Sequence, residues 1–162
     1  MSDAYIAALR ILNYRFNSEA ELRRKLRRKQ FAPDEIDSAI ERLRREKWLD
    51  DERFAGAFVR TRSNKRIGRL RILRELHAAG VSDEAASRAV AENVDPEKEA
   101  AALKAAAERR ARILVRRHGP EILTTDEGRN KLAVYLLNQG YDAALVYAVL
   151  KEIRVVHHQP DS

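Results

Sequence analysis

The chain has 162 residues, of which 32 are Lys or Arg and 25 are Asp or Glu, giving a formal charge of +7. It contains no cysteine, which excludes disulfides, zinc–thiolate sites and thiol catalysis. Gly and Pro are scarce, helix-forming residues dominate, and no apolar run is long enough to cross a bilayer, so we expect an all-α fold without a membrane span.

Signals for three helices occupy the first fifty residues. Apolar residues at helical spacing predict a helix over 4–14, and Ser18 with Glu21 forms the capping-box pattern that begins a second helix. Pro33 suits the first position of a third helix, which continues to about Trp48. The apolar residues expected to face the core are Ile6, Leu9, Leu12, Leu22, Leu26, Ile36, Ile40 and Leu43.

A second set of three helix signals follows. Asp50 or Asp51 caps the first of these helices, and the second begins after Gly68 and ends at Gly80, which suits a C-cap. The third begins at the acidic stretch after Ser82. The apolar residues expected to face the core are Phe54, Phe58, Val59, Leu70, Leu73 and Leu76.

The last set begins with a longer helix, which Asp95 caps and which ends near His118. Thr125 is placed to cap the next helix, and Tyr141 with Asp142 opens the final one. The apolar residues expected to face the core are Leu132, Leu136, Val146 and Leu150.

Apolar residues recur in the same register in all three sets, at offsets of 50 and then 60 residues. The matched triplets are Leu26, Leu76 and Leu136; Phe31, Val81 and Tyr141; and Ile40, Val90 and Leu150. Such self-similarity indicates a repeated supersecondary unit. We therefore predict three tandem three-helix repeats, helix-turn-helix-like units over 1–49, 50–94 and 95–155, in an elongated arrangement with a flexible tail at 156–162.

Positive charge is concentrated in the first half of the chain. Residues 1–80 carry 20 basic and 12 acidic side chains, whereas residues 81–162 carry 12 and 13. The stretch 60–74 has no carboxylate and favours an anionic partner. The stretch 23–29 fits a solvated helix surface as well as it fits a site for an anionic partner. We define the predicted basic face as Arg23, Arg24, Arg27, Arg28, Arg60, Arg62, Lys65, Arg66, Arg69, Arg71 and Arg74.

Signals for enzyme chemistry are weak. No histidine stands in a metal-ligand spacing, and there is no Gly-rich phosphate loop. The acidic run at 50–52 is the single pattern that suits a metal-dependent nuclease, but its place at a helix start favours capping. We expect no catalytic residue, no metal and no cofactor. The N-terminal residues lack a secretory pattern, so we expect a soluble protein of the cytoplasm.

Aromatic residues near the start of the second repeat are interpreted as structural. Phe54 and Phe58 lie four apart and predict one core-facing stripe. For Trp48, we favour a buried wedge between repeats over a base-stacking platform. The third helices of the repeats begin with acids that phosphate would repel, which disfavours duplex reading by a helix-turn-helix. The predicted structural motif is Trp48, Asp50, Asp51, Phe54 and Phe58.

Three blocks, at 41–43, 48–55 and 58–62, resemble the RecX regulatory family. The most specific is the run Leu-Asp-Asp-Glu-Arg-Phe-Ala at 49–55, and shorter pieces extend the resemblance over about 4–83. One departure is Lys47, because the family tends to have glycine at that position. The remaining residues match mainly in helical pattern.

This resemblance implies a bacterial, non-enzymatic regulator of the RecA recombinase, built from three tandem three-helix repeats. Such a protein binds the RecA filament on single-stranded DNA and inhibits its ATPase, recombinase and co-protease activities, in homologous recombination, DNA repair and the SOS response. We expect a monomer whose predicted basic face meets acidic RecA surface, DNA phosphate or both. We also expect weak direct DNA binding and a second contact from the neutral third repeat. The alternatives are a general nucleic-acid-binding protein independent of RecA and, more remotely, a nuclease using Asp50.

Overall fold

In the computed structural model, the backbone is described for residues 3–156 and the side chains for residues 3–153. The elements are α1 Asp3–Tyr14, α2 Glu19–Arg28, α3 Pro33–Arg45, α4 Asp51–Asn64, α5 Arg69–Ala78, α6 Asp83–Asn93, α7 Pro96–His118, a 3-10 turn Pro120–Thr124, α8 Asp126–Asn138 and α9 Ala143–Val156. The predicted all-α class and the grouping of helices in threes are therefore confirmed. No helix within 3–156 has the length and apolarity of a membrane span. The predicted tail 156–162 lies outside the described residues except for Val156, which ends α9.

Side-chain caps fix the helix starts, as the sequence predicted. Ser18 Oγ accepts the Glu21 N–H at 3.1 Å, while the Glu21 carboxylate accepts the Ser18 N–H. Asp95 caps α7 and Thr125 caps α8. Of the two acids predicted for α4, Asp50 is the cap, since its Oδ1 accepts N–H groups two and three residues ahead at 2.9 and 3.0 Å.

The turn between the second and third helices has the same form in each repeat. Gln30, Gly80 and Gly140 hold the left-handed conformation, with φ of 65°, 81° and 93°. Each donates its N–H to the carbonyl three residues earlier at 2.9 Å, and the next residue donates to the carbonyl five residues earlier. Of the nine apolar positions matched across the repeats, eight are buried, and Phe31 is half-buried. The predicted register is therefore confirmed.

Two compact units share the chain, and they cut across the predicted second repeat. The first unit spans Met1–Arg60 with Leu73–Asn93, and the second spans Thr61–Ile72 with Val94–Ser162. Helices α4 and α5 are each divided between the two units. The repeat bounds 1–49, 50–94 and 95–155 stay predictions.

In the first unit, α1 packs on α2 and α3 through small residues. Its buried positions are Ala4, Tyr5 and Ala8, not the predicted stripe of Ile6, Leu9 and Leu12, which is half-buried. The reason is a polar anchor, because the Tyr5 hydroxyl donates to the Glu46 carboxylate and its ring lies 4.0 Å from the Arg42 guanidinium. The core also contains the residues predicted on α2 and α3, Leu22, Leu26, Ile36, Ile40 and Leu43, together with Ala39 and Leu49.

In the second unit, α7, α8 and α9 surround an apolar core. The alanines of α7 allow close helix approach, and the core residues include Leu103, Leu114, Leu132, Leu136, Val146 and Leu150. Residues 61–72 join this unit at the α8–α9 turn, where Gly68 N–H donates to Gln139 O at 2.9 Å and Leu70 N–H donates to Gly140 O at 3.0 Å. Glycine is required there, because a Cβ on Gly68 would lie 2.4 Å from the Gly140 carbonyl carbon.

The apolar stripe predicted on α5 is partly wrong. Ile72 and Leu76 are buried, whereas the predicted Leu70 is exposed and Leu73 is half-buried. The register differs because the backbone at Leu70 is bound to Gly140 O, which fixes the face that the first turn of α5 presents to the core.

Candidate partner-binding surface

Two residues of the predicted basic face have structural roles on α2. Arg23 Nε donates to Glu19 Oε1 at 2.9 Å, and its Nη1 donates to Asp37 on α3. Arg24 directs both terminal nitrogens to the carbonyl oxygen of Ala78 at 3.3 Å, at the C-terminal end of α5. Arg23 is paired with carboxylates and Arg24 is bound to a carbonyl at a helix end, so both side chains already have partners within the first unit.

Arg69 is the most strongly engaged of the predicted cations. The Glu99 carboxylate accepts the Arg69 N–H at 2.9 Å through Oε1 and the Arg69 Nε–H at 2.7 Å through Oε2. Glu99 is only 8% exposed, and the hydrogen bond between its carboxylate and the Arg69 guanidinium raises the pKa of Arg69. Because a buried carboxylate needs this partner, Arg69 holds the start of α5 to α7.

Three further predicted cations already have partners within the fold. Arg60 Nη1 donates to Asn93 Oδ1 at 2.9 Å within the first unit. Arg62 and Arg71 are half-buried, and neither is free of partners.

The other five residues of the predicted basic face are exposed. Lys65 and Arg66 lie in the turn after α4, where Arg66 has a φ of 59° and its carbonyl accepts the Tyr141 hydroxyl at 2.7 Å. Within residues 3–153, the side chains of these five residues form no ion pair or hydrogen bond. We call them the open cations: Arg27, Arg28 and Arg74 in the first unit, and Lys65 and Arg66 in the second.

Tyr141 positions the turn that carries Lys65 and Arg66. Its side chain is 1% exposed and its hydroxyl reaches the backbone of that turn. Burial raises the pKa of Tyr141 to about 12. The hydroxyl therefore stays protonated as a donor at neutral pH, and the turn is held to the third repeat by a neutral hydrogen bond.

The acidic run at 50–52 makes structural contacts at each position. Asp50 caps α4, and Asp51 Oδ1 accepts the Glu19 N–H at 2.8 Å. Glu52 pairs with Arg88 Nη1 at 2.6 Å. Within the described part of the chain, no group of three or more potential metal-ligating side chains is assembled. These bonds account for the run as helix capping and ion pairing.

The prediction that Trp48 is a buried wedge is wrong, since its side chain is 55% exposed. Helix α3 ends at Arg45 and Lys47 takes a left-handed φ of 61°, so the chain reverses and places Leu49 in the core instead. A left-handed backbone at position 47 explains why glycine would suit that place. The predicted core stripe is confirmed for Phe54, which is buried, whereas Phe58 is half-buried. The centroids of the two rings are 5.7 Å apart.

Sequence reasoning missed a basic surface on the third repeat. The net charge of residues 81–162 is close to zero, but the second half of α7 carries the exposed residues Arg109, Arg112, Arg116, Arg117 and His118. The run 109–118 has no carboxylate, and this signal could have found the surface. Averaging charge over the whole half concealed it.

Exposed aromatic residues were also missed. Tyr14, the last residue of α1, and Phe16, in the loop that follows, are 91% and 61% exposed on either side of Arg15. Sequence analysis does not distinguish these two aromatics from the others along the chain, because no local pattern shows which aromatic side chains lack packing partners.

Two family models match the chain, one described as RecX, first three-helix domain, over residues 4–43, and one as RecX, second three-helix domain, over residues 50–90. The regulatory protein RecX of Trichlorobacter lovleyi is 36% identical over 149 residues, covering 90% of this chain and 92% of that protein. The regulatory protein RecX of Actinobacillus pleuropneumoniae is 43% identical over 75 residues, 46% of this chain and 50% of that protein, so this match spans half of the relative's length. The crystal structure of RecX from Lactobacillus salivarius superposes with a TM-score of 0.78 at 25% identity, covering 95% of this chain and 96% of that chain.

Proposed function

Because this chain belongs to the RecX family of regulatory proteins, we propose that it binds the RecA filament on single-stranded DNA and inhibits RecA. The activities inhibited are the ATPase, recombinase and co-protease functions, and the protein acts in the cytoplasm as a monomer without catalysis of its own. The open cations carry this proposal: Arg27, Arg28, Lys65, Arg66 and Arg74 are exposed and unpaired within residues 3–153, while the other predicted cations have partners in the fold or restricted access.

Unpaired cations on the surface suit an extended anionic partner. They attract acidic protein surface or DNA phosphate without first breaking an internal ion pair, so little of the interaction energy is lost. A filament repeats its acidic surface from one protomer to the next. Contacts to neighbouring protomers then add through effective concentration, and a bound molecule hinders the subunit motions that accompany ATP hydrolysis.

The test is the single-stranded-DNA-dependent ATPase rate of the cognate RecA, measured with rising amounts of this protein. The variant Lys65→Glu with Arg66→Glu and Arg74→Glu should raise the amount needed for half inhibition about tenfold or more, because each reversal turns an attraction into a repulsion. A matched control is Arg10→Glu with Arg45→Glu and Arg53→Glu, which are exposed residues outside the predicted basic face.

The control has the same net charge, so it separates a local contact from a general loss of positive charge. Equal inhibition by the Lys65 triple variant and the wild type would show that the open cations do not contact the filament. Circular dichroism of both variants checks that the fold is kept.

A general nucleic-acid-binding function is the second candidate, favoured by the exposed Tyr14 and Phe16 beside Arg15. Exposed aromatics next to a cation are typical of surfaces on which single-stranded bases stack. Anisotropy of labelled single-stranded DNA without RecA decides between the two functions. Tight binding that Tyr14→Ala weakens, together with no effect on the RecA ATPase, would replace RecA regulation with this function.

A further inference from the structure

Helices α7 and α8 enclose an open groove of about 460 Å³ in the second compact unit. Residues spaced three, four and seven apart on α7 form one wall, and a similar stripe on α8 forms the other. The groove extends along about two helical turns, or roughly 10 Å at 1.5 Å per residue. We call this feature the α7–α8 groove; it is lined by Arg110, Ile113, Leu114, Arg117, His118, Asn130, Lys131, Val134, Tyr135 and Asn138.

All charged or titratable residues that line the α7–α8 groove are bases, apart from the Tyr135 phenol. Arg110, Arg117 and Lys131 contribute to its walls together with His118, and no Asp or Glu is among its lining residues. Lys131 Nζ pairs with Glu127 at 2.6 Å, whereas the Nε of Arg110 is buried without a hydrogen-bond partner among the described residues. Arg117 is exposed and forms no ion pair within residues 3–153, so a carboxylate entering the groove can pair with its guanidinium.

The α7–α8 groove also has an apolar strip. Ile113 is 46% exposed on α7 and Val134 is 47% exposed on α8. The Tyr135 ring is covered on one side by the Arg110 guanidinium, 4.9 Å from its centroid, so that face is not open to a nucleobase. Branched aliphatic side chains offer no stacking surface, but they bury well against Leu or Ile of another protein.

We propose that the α7–α8 groove docks a helical segment of a protein partner that combines acidic side chains with large aliphatic ones. Two adjacent helix faces that carry an apolar strip and basic side chains match helix-in-groove recognition, in which an amphipathic helix is anchored by residues about one turn apart. The basic walls select acidic flanks, and Ile113 with Val134 receives the aliphatic anchors. This inference rests on the proposed function, which supplies the protein partner, and it adds a site on the third repeat.

Photo-crosslinking in the full-length chain tests the proposal. p-Benzoylphenylalanine is placed at Val134, and at Leu145 as a control, because Leu145 is 40% exposed on α9 outside the α7–α8 groove. Each protein is bound to the cognate RecA filament on single-stranded DNA and irradiated, and the adducts are mapped by mass spectrometry. The expected adduct at position 134 is with a RecA segment that carries both carboxylates and Leu, Ile or Met.

Neighbouring charge reversals provide the second arm of the test. Arg117→Glu lies in the groove wall and should lower the adduct yield at position 134 about three- to tenfold, as expected for reversing a charge in a contact. Arg116→Glu adjoins it in the chain but does not line the groove, and it should leave the yield unchanged.

An adduct with DNA, an adduct with a segment lacking carboxylates, or equal yields at positions 134 and 145 would overturn the inference. Inhibition of the RecA ATPase is recorded in the same samples. Intact inhibition without a specific adduct at position 134 removes the docking site and leaves the proposed function standing. Absence of both inhibition and co-sedimentation by the wild-type chain removes the proposed function itself.

Discussion

Asp51 illustrates how a single side chain joins two repeats of the first unit. Its Oδ1 accepts the N–H of Glu19, the first residue of α2, at 2.8 Å. Burial raises the pKa of Asp51, and the nearby Glu19 carboxylate adds to the rise, although the hydrogen bond opposes it. The acceptor oxygen is therefore useful to the fold, while the negative charge that accompanies it is unfavourable.

Replacing Asp51 separates these two effects. Asp51→Asn keeps an acceptor oxygen, so the free energy of unfolding at pH 7 should stay the same or rise, whereas Asp51→Ala should lose about 1 kcal/mol. The folded-state pKa lies above the ordinary 3.8, so the wild type loses stability as pH rises through the folded pKa. The free energy of unfolding of Asp51→Asn, measured by urea unfolding, should therefore increase relative to that of the wild type from pH 4 to pH 7.

Equal destabilisation by Asn and Ala at pH 7 would mean that the negative charge itself is needed. In that case the metal-nuclease alternative would be tested directly, by magnesium-dependent cleavage of single-stranded DNA with and without Asp51→Asn.

At the scale of elements, the left-handed turn between the second and third helices is the structural signature of each repeat. Glycine fills this place at Gly80 and Gly140, but Gln30 fills it in the first repeat. The turn at Gly140 also lies against the start of α5, where an added Cβ would come 2.5 Å from the Arg71 backbone nitrogen. The same backbone conformation therefore has different steric demands in different repeats.

Substitutions at the turn should have opposite effects in the first and third repeats. Gln30→Gly should stabilise the fold by about 0.5 kcal/mol, because the relief of left-handed strain slightly exceeds the added freedom of the unfolded chain. Gly140→Ala should destabilise it by about 2 kcal/mol or more, because strain and the collision with Arg71 act together. Urea unfolding followed by circular dichroism measures both, and a neutral Gly140→Ala would contradict the close packing of this turn.

At the scale of the whole molecule, the excess positive charge behind the formal charge of +7 falls into two kinds of site, exposed cations without partners and cations bound to carboxylates. Within residues 3–153, the open cations and Arg117 of the α7–α8 groove hold unpaired charges, while Arg23 and Arg69 are bound to carboxylates. Exposed charges are screened by salt within about 10 Å at 0.1 M, whereas the buried Glu99 pair is screened much less. Salt should therefore weaken partner binding more than it weakens the fold.

Raising NaCl from about 50 to 200 mM should increase the amount of protein needed for half inhibition of RecA several-fold, since exposed charges carry the contact. The Lys65, Arg66 and Arg74 triple variant should give a flatter dependence, because fewer favourable charge contacts remain to be screened. The ATPase titration at four salt concentrations measures both slopes, with the RecA rate alone subtracted at each. Identical slopes would show that these residues do not contact the partner.

The repeat pattern could be predicted from sequence because its determinants are local. Ser18, Asp95 and Thr125 cap the helices they were assigned to, and the triplet containing Leu26 is buried in all three repeats. The site was less predictable, because the availability of an arginine depends on residues distant in the chain. Arg69 finds Glu99 thirty residues away, and no local pattern indicates that bond.

Trp48 shows the same limit for burial. A large aromatic at a repeat junction is usually covered, but here the left-handed Lys47 turns the chain so that Leu49 enters the core. The resemblance identified the family, yet it could not tell which cations remain unpaired. That distinction required the hydrogen-bond partners of each side chain.

The bonds between residues 61–72 and the α8–α9 turn also affect how the protein folds as it is synthesised. Gly68 donates to Gln139 and Leu70 to Gly140, so the start of α5 is synthesised about seventy residues before its acceptors exist. At roughly 5–20 residues per second, this wait lasts about 4 to 14 seconds. Every residue of the first unit has been made by residue 93, and its core can close during that interval. The nascent chain can therefore complete its first unit before the acceptors of Gly68 and Leu70 have been made.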